Sequence, residues 1–88
     1  EFQSPVTSID ASFDAKYIAC AFEDGSIRLW SMKTKKLLYA FKAHKDIVSS
    51  IAISSDSKYI ISGSWDGTVK VWDIKAKREI LSFLGGER

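Results

Sequence analysis

Few residues in this chain can do chemistry, and their spacing narrows what that chemistry is. His44 is the sole histidine and Cys20 the sole cysteine. Metal centres draw several ligands from His, Cys and carboxylates, and a single imidazole cannot found a His-based cluster. Cys20 has no thiol partner, which excludes a disulfide-stapled secreted scaffold and fits a reducing, intracellular and cytoplasmic setting. No nucleophile, base and acid stand together, and no Gly-rich phosphate loop is present. The residues argue against an enzyme and imply no metal, no cofactor and no small-molecule substrate.

Two other groups are chemically conspicuous. Lys33-Thr34-Lys35-Lys36 and Lys75-Ala76-Lys77-Arg78 are basic clusters. They read either as solvated turns that deter edge pairing or as a patch for an acidic protein surface, nucleic acid or anionic lipid. Aromatics are not interleaved with them, so base stacking is not suggested. Trp65 stands directly before Asp66-Gly67, a tight-turn signal. An indole there either packs on its own loop or a neighbour, or anchors a partner.

These residues are positioned by a repeat. Sliding the chain on itself by 42 residues aligns Val6 to Phe41 with Val48 to Phe83 without a gap, and 14 of the 36 pairs are identical. Ordinary composition would give roughly two or three. Asp24/Asp66, Gly25/Gly67, Trp30/Trp72, Lys33/Lys75 and Lys35/Lys77 are among them. Each unit reads as four short strands rich in Val, Ile, Tyr and Trp, separated by turn residues. The spacing predicts strands over Val6–Ala11, Tyr17–Phe22, Ser26–Trp30 and Leu37–Phe41, then Val48–Ile53, Tyr59–Ser64, Thr68–Trp72 and Glu79–Phe83. The connections are short, so consecutive strands should pair antiparallel.

Composition agrees with a packed domain. The chain has 88 residues, 45% of them hydrophobic and 27% charged, with a net charge of +2 spread over both signs. That balance excludes a disordered tail and does not argue for nucleic acid. No apolar run approaches the ~18 residues of a membrane helix, and the opening residues show no signal-peptide pattern.

The string Ser62-Gly63-Ser64-Trp65-Asp66-Gly67-Thr68-Val69-Lys70-Val71-Trp72-Asp73, with Ala43-His44 upstream and the 42-residue period, resembles the WD-repeat family of β-propellers. The resemblance covers residues 2–84 and implies an all-β fold of two blades, each a four-stranded antiparallel sheet. Residues 1–42 form the first blade and 43–88 the second, together parts of one propeller. In the family a His, a Ser or Thr, an Asp and a Trp of one blade form a hydrogen-bonded chain. The matching residues are His44, Ser62, Asp66 and Trp72, in a structural role that outweighs any reading of His44 as a catalytic base. The first copy keeps Asp24 and Trp30 but has Phe2 and Cys20 at the other two positions, so its chain is expected to be incomplete. Ala43 replaces the usual Gly, and Ser31 follows Trp30 where Asp is usual. Asp10 is expected to be a solvated residue of the central channel.

The resemblance further implies a non-catalytic protein-interaction scaffold within a multi-subunit assembly. Its partner surface would carry the loops before the first strand and the second-to-third hairpins. The matching residues are Trp65, Ile47 and Ser49, with Pro5, Thr7 and Glu23 in the first copy. The lysine turns fall on the opposite edge. Two blades leave apolar faces open, and closed propellers have about four to eight. The chain is therefore expected to be a fragment of a longer propeller; alternatively, several copies close a ring, or it is an excised or designed two-blade unit. Its partners are other proteins or subunits, further blades or further copies, with no membrane insertion.

Overall fold

The computed structural model describes residues 4–84. Eight strands follow in order: β1 (Val6–Ala11), β2 (Tyr17–Phe22), β3 (Ser26–Ser31), β4 (Leu37–Lys42), β5 (Val48–Ile53), β6 (Tyr59–Ser64), β7 (Thr68–Asp73) and β8 (Arg78–Leu84). They form two four-stranded antiparallel meanders, β1-β2-β3-β4 and β5-β6-β7-β8. The sequence places β1, β2, β5 and β6 to the residue. It ends β3, β4 and β7 one residue early because Ser31, Lys42 and Asp73 are polar, yet each is in its ladder, with Ser31 opposite Tyr17 and Asp73 opposite Tyr59. Arg78, read as part of the basic turn, opens β8 opposite Asp73.

The turns explain why the meanders close. Ser12 Oγ donates to Asp14 Oδ1 at 2.8 Å and accepts from the amides of Lys16 and Tyr17. Ser54 and Asp56 repeat this arrangement before Tyr59. Side-chain oxygens thus satisfy the amides that a tight turn leaves open. Ala15, Lys35, Ser57 and Lys77 have positive φ without being glycine. They pair at the 42-residue period, so the turn geometry is a property of the repeat rather than of the residue chosen.

The core lies between the two sheets. Ala19 and Ala21 of β2, Ile27 and Leu29 of β3, Val48 and Ile51 of β5, and Ile60 and Trp72 of the second sheet form one buried cluster. The alanines keep β2 thin, which lets β5 approach it. At one end of the interface Tyr39 stacks on Phe41, which tilts against Trp72, both pairs at 4.6 Å between centroids. Polar links cross the same interface. The Thr7 hydroxyl donates to the Val48 carbonyl, and the Tyr39 hydroxyl to the Lys77 carbonyl at 2.9 Å. Asp10 Oδ2 accepts the Ile53 amide at 2.7 Å. Asp10 is thus more than a solvated channel residue: it caps an edge amide of the next sheet.

The connection between sheets rests on Gly25. Its carbonyl accepts the amides of Ala43 and His44 at 2.9 and 3.0 Å. Its φ is +91°, and a Cβ there would collide with the His44 carbonyl and come within 3.0 Å of the Asp46 carbonyl. Gly67 has nearly the same φ, +89°, with nothing within 4 Å of its Cβ position among the described residues. Gly67→Ala should therefore cost about 1–2 kcal/mol, from left-handed backbone alone, and Gly25→Ala distinctly more. Equal losses in denaturant midpoint would show that the close approach at Gly25 does not matter.

Candidate functional site

The chemistry-bearing residues converge where the β4–β5 connection meets the β6–β7 hairpin. Trp72 Nε1 donates to Ser62 Oγ at 3.1 Å, and Ser62 Oγ lies 2.8 Å from His44 Nε2. His44 Nδ1 is 3.1 Å from Asp66 Oδ2 and 3.0 Å from Thr68 Oγ1. An indole can only donate. Ser62 therefore accepts from Trp72 and directs its own proton at His44 Nε2. That makes Nε2 the acceptor and Nδ1 the protonated nitrogen, which donates to Asp66 and Thr68. The series runs one way, from the Trp72 indole to the Asp66 carboxylate, with each inner group donor to one neighbour and acceptor from the other.

Asp66 gathers the most bonds. Thr68 donates to Oδ1 through its amide at 2.9 Å and its hydroxyl at 2.6 Å, and the Lys45 amide donates to Oδ2 at 3.2 Å. Partial burial pushes its pKa up, but the bonds from Thr68, His44 and Lys45 prevail and hold it well below the usual carboxylate range. Thr68 is the member that sequence reasoning missed. Its signal was available: a Thr two residues after Asp, across Gly, can close an Asx-type turn.

In the first sheet no hydrogen bond joins Asp24, Cys20 and Trp30 among the described residues. Asp24 instead closes its own hairpin, accepting from the Ser26 amide and hydroxyl. Cys20 is a buried free thiol, its pKa raised by burial. Phe2 lies outside the described residues. Carboxylates at the other turns behave alike: the hydroxyls of Ser12, Ser26 and Ser54 hold Asp14, Asp24 and Asp56 below their ordinary values.

The residues expected to meet a partner share the end of the sheets that carries this hairpin. Trp65 is 67% exposed. Its amide donates to the Ile47 carbonyl, which also accepts from the Ser64 hydroxyl at 2.8 Å. Ser49, Pro5 and Glu23 are exposed and Ile47 is half-buried. Pro5 and Glu23 are joined by a backbone bond, Glu23 N to Pro5 O at 2.9 Å. Thr7 is exposed but has its hydroxyl engaged with Val48. Lys33, Lys35, Lys36, Lys75, Lys77 and Arg78 are exposed at the opposite end. Among the described residues no cluster of three or more His, Cys, Asp or Glu suits a metal ion, and no helix is long and apolar enough to cross a membrane.

Two antiparallel four-stranded sheets packed face to face, with a Trp–Ser–His–Asp chain fastening the second, define consecutive blades of a β-propeller. The family model "WD domain, G-beta repeat" matches residues 1–31 and 35–73, and the chain belongs to that family. Among solved structures it is similar to "Crystal structure of RRP9 WD40 repeats" and to "Structure of U3-55K". Each is 28% identical with a TM-score of 0.89, and the match covers 100% of this chain and 28% of the other. The chain thus spans well under half the length of those it matches. No curated protein sequence matches it. WD repeats generally mediate protein–protein interaction and scaffolding, and the family is typically non-catalytic.

Two results are expected. Ser62→Ala strands the Trp72 and His44 nitrogens in a buried site and should cost about 1–3 kcal/mol in denaturant unfolding. Asp66 is expected to govern acid sensitivity. Its folded pKa lies below the unfolded value of about 3.9. The stability it contributes is therefore complete above that value and is lost as pH falls beneath it. Asp66→Asn should lower stability at neutral pH and make the acid-unfolding profile shallower, though not flat, because Asp14, Asp24 and Asp56 act in the same sense. An unchanged profile would sink the assignment.

Proposed function

We propose that the chain forms two adjacent blades of a larger propeller, a non-catalytic protein-interaction scaffold in a multi-subunit assembly. Its partner face is centred on Trp65. The observation that carries this reading is the exposed Trp65 indole on a hairpin tied down by Ile47, Ser64 and the His44–Asp66 chain. A large aromatic on a rigid support loses little freedom on binding, and such residues dominate interfaces. Ile47 and Ser49 flank it, and Pro5 and Glu23 extend the face onto the first blade. The family's typically non-catalytic character supports the absence of enzymatic work, and the buried Cys20 thiol suits a reducing intracellular compartment.

Unequal burial of identical residues supports the larger ring. Val48 and Ile51 are 0% and 8% exposed, whereas their repeat counterparts Val6 and Ile9 are 56% and 58% exposed. Phe41 packs on Trp72, whereas Phe83 is exposed. Both outer faces of the pair carry the chemistry that its inner interface buries, so units 1–42 and 43–88 fit within one propeller with blades on either side. The same observation favours a second reading, in which further copies of this chain supply those blades. Native mass separates the two: a multiple of the chain mass supports the closed homo-oligomer, and a longer single chain supports the first reading.

Trp65→Ala is expected to lower partner recovery in a pull-down by about tenfold while leaving the melting temperature unchanged. Equal recovery with an intact melt would refute the Trp65 face.

A further inference from the structure

The charge of the molecule is divided between its ends. At the end carrying the β1–β2, β3–β4, β5–β6 and β7–β8 turns, the first sheet holds Lys16, Lys33, Lys35 and Lys36 against Asp14. The second holds Lys58, Lys75, Lys77 and Arg78 against Asp56 and Asp73. The carboxylates Asp14, Asp56 and Asp73 are engaged with their own turn groups. At the hairpin end Glu23, Asp24, Asp46 and Asp66 outnumber Lys42 and Lys45 among the described residues. A net charge of +2 for the chain therefore conceals a strongly basic end and an acidic one.

A cleft of about 660 Å³ opens at the basic end, between the two blades. Its volume lies within the range of pockets that hold small ligands and side chains. Tyr17, Tyr39, Leu38 and Ile74 give it an apolar lining, and Lys58, Lys75 and Lys77 stand around it with Asp73 as the only lining carboxylate among the described residues. The wall is fixed from both blades, by the Tyr39 hydroxyl on the Lys77 carbonyl at 2.9 Å and by Lys77 Nζ 5.9 Å from the Tyr39 ring centre. Ser57 also lines it. Its hydroxyl is buried with no hydrogen bond of good geometry among the described residues, although it stands near Asp14.

An apolar floor with a lysine rim selects a ligand that is apolar at its centre and anionic at its edges. We propose that this inter-blade cleft is a second docking site, taking a short acidic peptide segment that seats one bulky apolar side chain between Tyr17 and Tyr39. Its carboxylates pair with Lys58, Lys75 and Lys77. Lys33, Lys35, Lys36 and Arg78 lie outside the lining and act at longer range, raising the encounter rate rather than fixing the pose. The site stands independently of the Trp65 face, which is at the other end of the sheets.

The test uses the full chain and a fluorescently labelled peptide of glutamates around one phenylalanine, read by anisotropy. Binding is expected to weaken as salt rises. It should fall about tenfold in Lys58→Glu/Lys75→Glu, where two rim contacts become repulsive, and several-fold when the peptide phenylalanine is replaced by serine. Lys33→Glu/Lys36→Glu makes the same charge change outside the cleft and should alter affinity far less. Trp65→Ala should leave peptide binding intact, so failure of one site is separable from failure of the other. Each variant is first shown to melt like the parent. Three results overturn the proposal: equal loss in the two lysine pairs, indifference to the phenylalanine, or phosphatidylserine vesicles or single-stranded polynucleotide binding with the same dependence on Lys58 and Lys75.

Discussion

The architecture depends on one constraint: a blade is apolar on both faces and cannot shed either to water. The joint between the two sheets shows how that constraint is met. Alanines in β2 make room, Val48 and Ile51 fill it, and the Tyr39–Phe41–Trp72 ladder closes the other end. Polar groups at the margins of this joint are paired across it, through Thr7, Asp10 and Tyr39. Burial supplies the attraction, and the cross-sheet bonds satisfy the Val48 and Lys77 carbonyls and the Ile53 amide.

The Trp72–Ser62–His44–Asp66 series serves the same joint from within. It fastens the β4–β5 connection, which the first blade holds through Gly25, to the hairpin and third strand of the second blade. Its one-way donor order leaves no inner group short of a partner, which is what makes a buried polar series tolerable. The first sheet lacks such a series among its described residues and is held by its neighbour. A complete polar chain and an incomplete one can therefore stand side by side, because the apolar joint is shared by both.

Much of this was legible in the sequence because it is periodic. A 42-residue repeat with Asp-Gly turns and alternating strands fixes element number, order and pairing, and the Ser62–Asp73 string points to the polar series. Contacts between copies were less legible. Nothing in the local sequence says that Asp10 caps Ile53, that Thr7 turns its hydroxyl inward, or that the backbone closes on Gly25. The sequence ends β3, β4 and β7 one residue short because polarity marks solvent, whereas pairing continues until the turn begins; it also stops β8 short of Leu84, which pairs with Thr68. Thr68 is less legible because its counterpart one period earlier is Ser26, a different residue, although both grip the Asp of their own hairpin.

The joint at Gly25 is staggered with respect to the sequence unit. The carbonyl that receives the connection belongs to one copy, and the amides that it receives belong to the next. The first copy thus supplies a socket at its hairpin and the second a plug at its entry, with Gly67 standing one period after Gly25. Duplicating a 42-residue stretch copies both halves together, so blades can be added by duplication without a new interface having to arise.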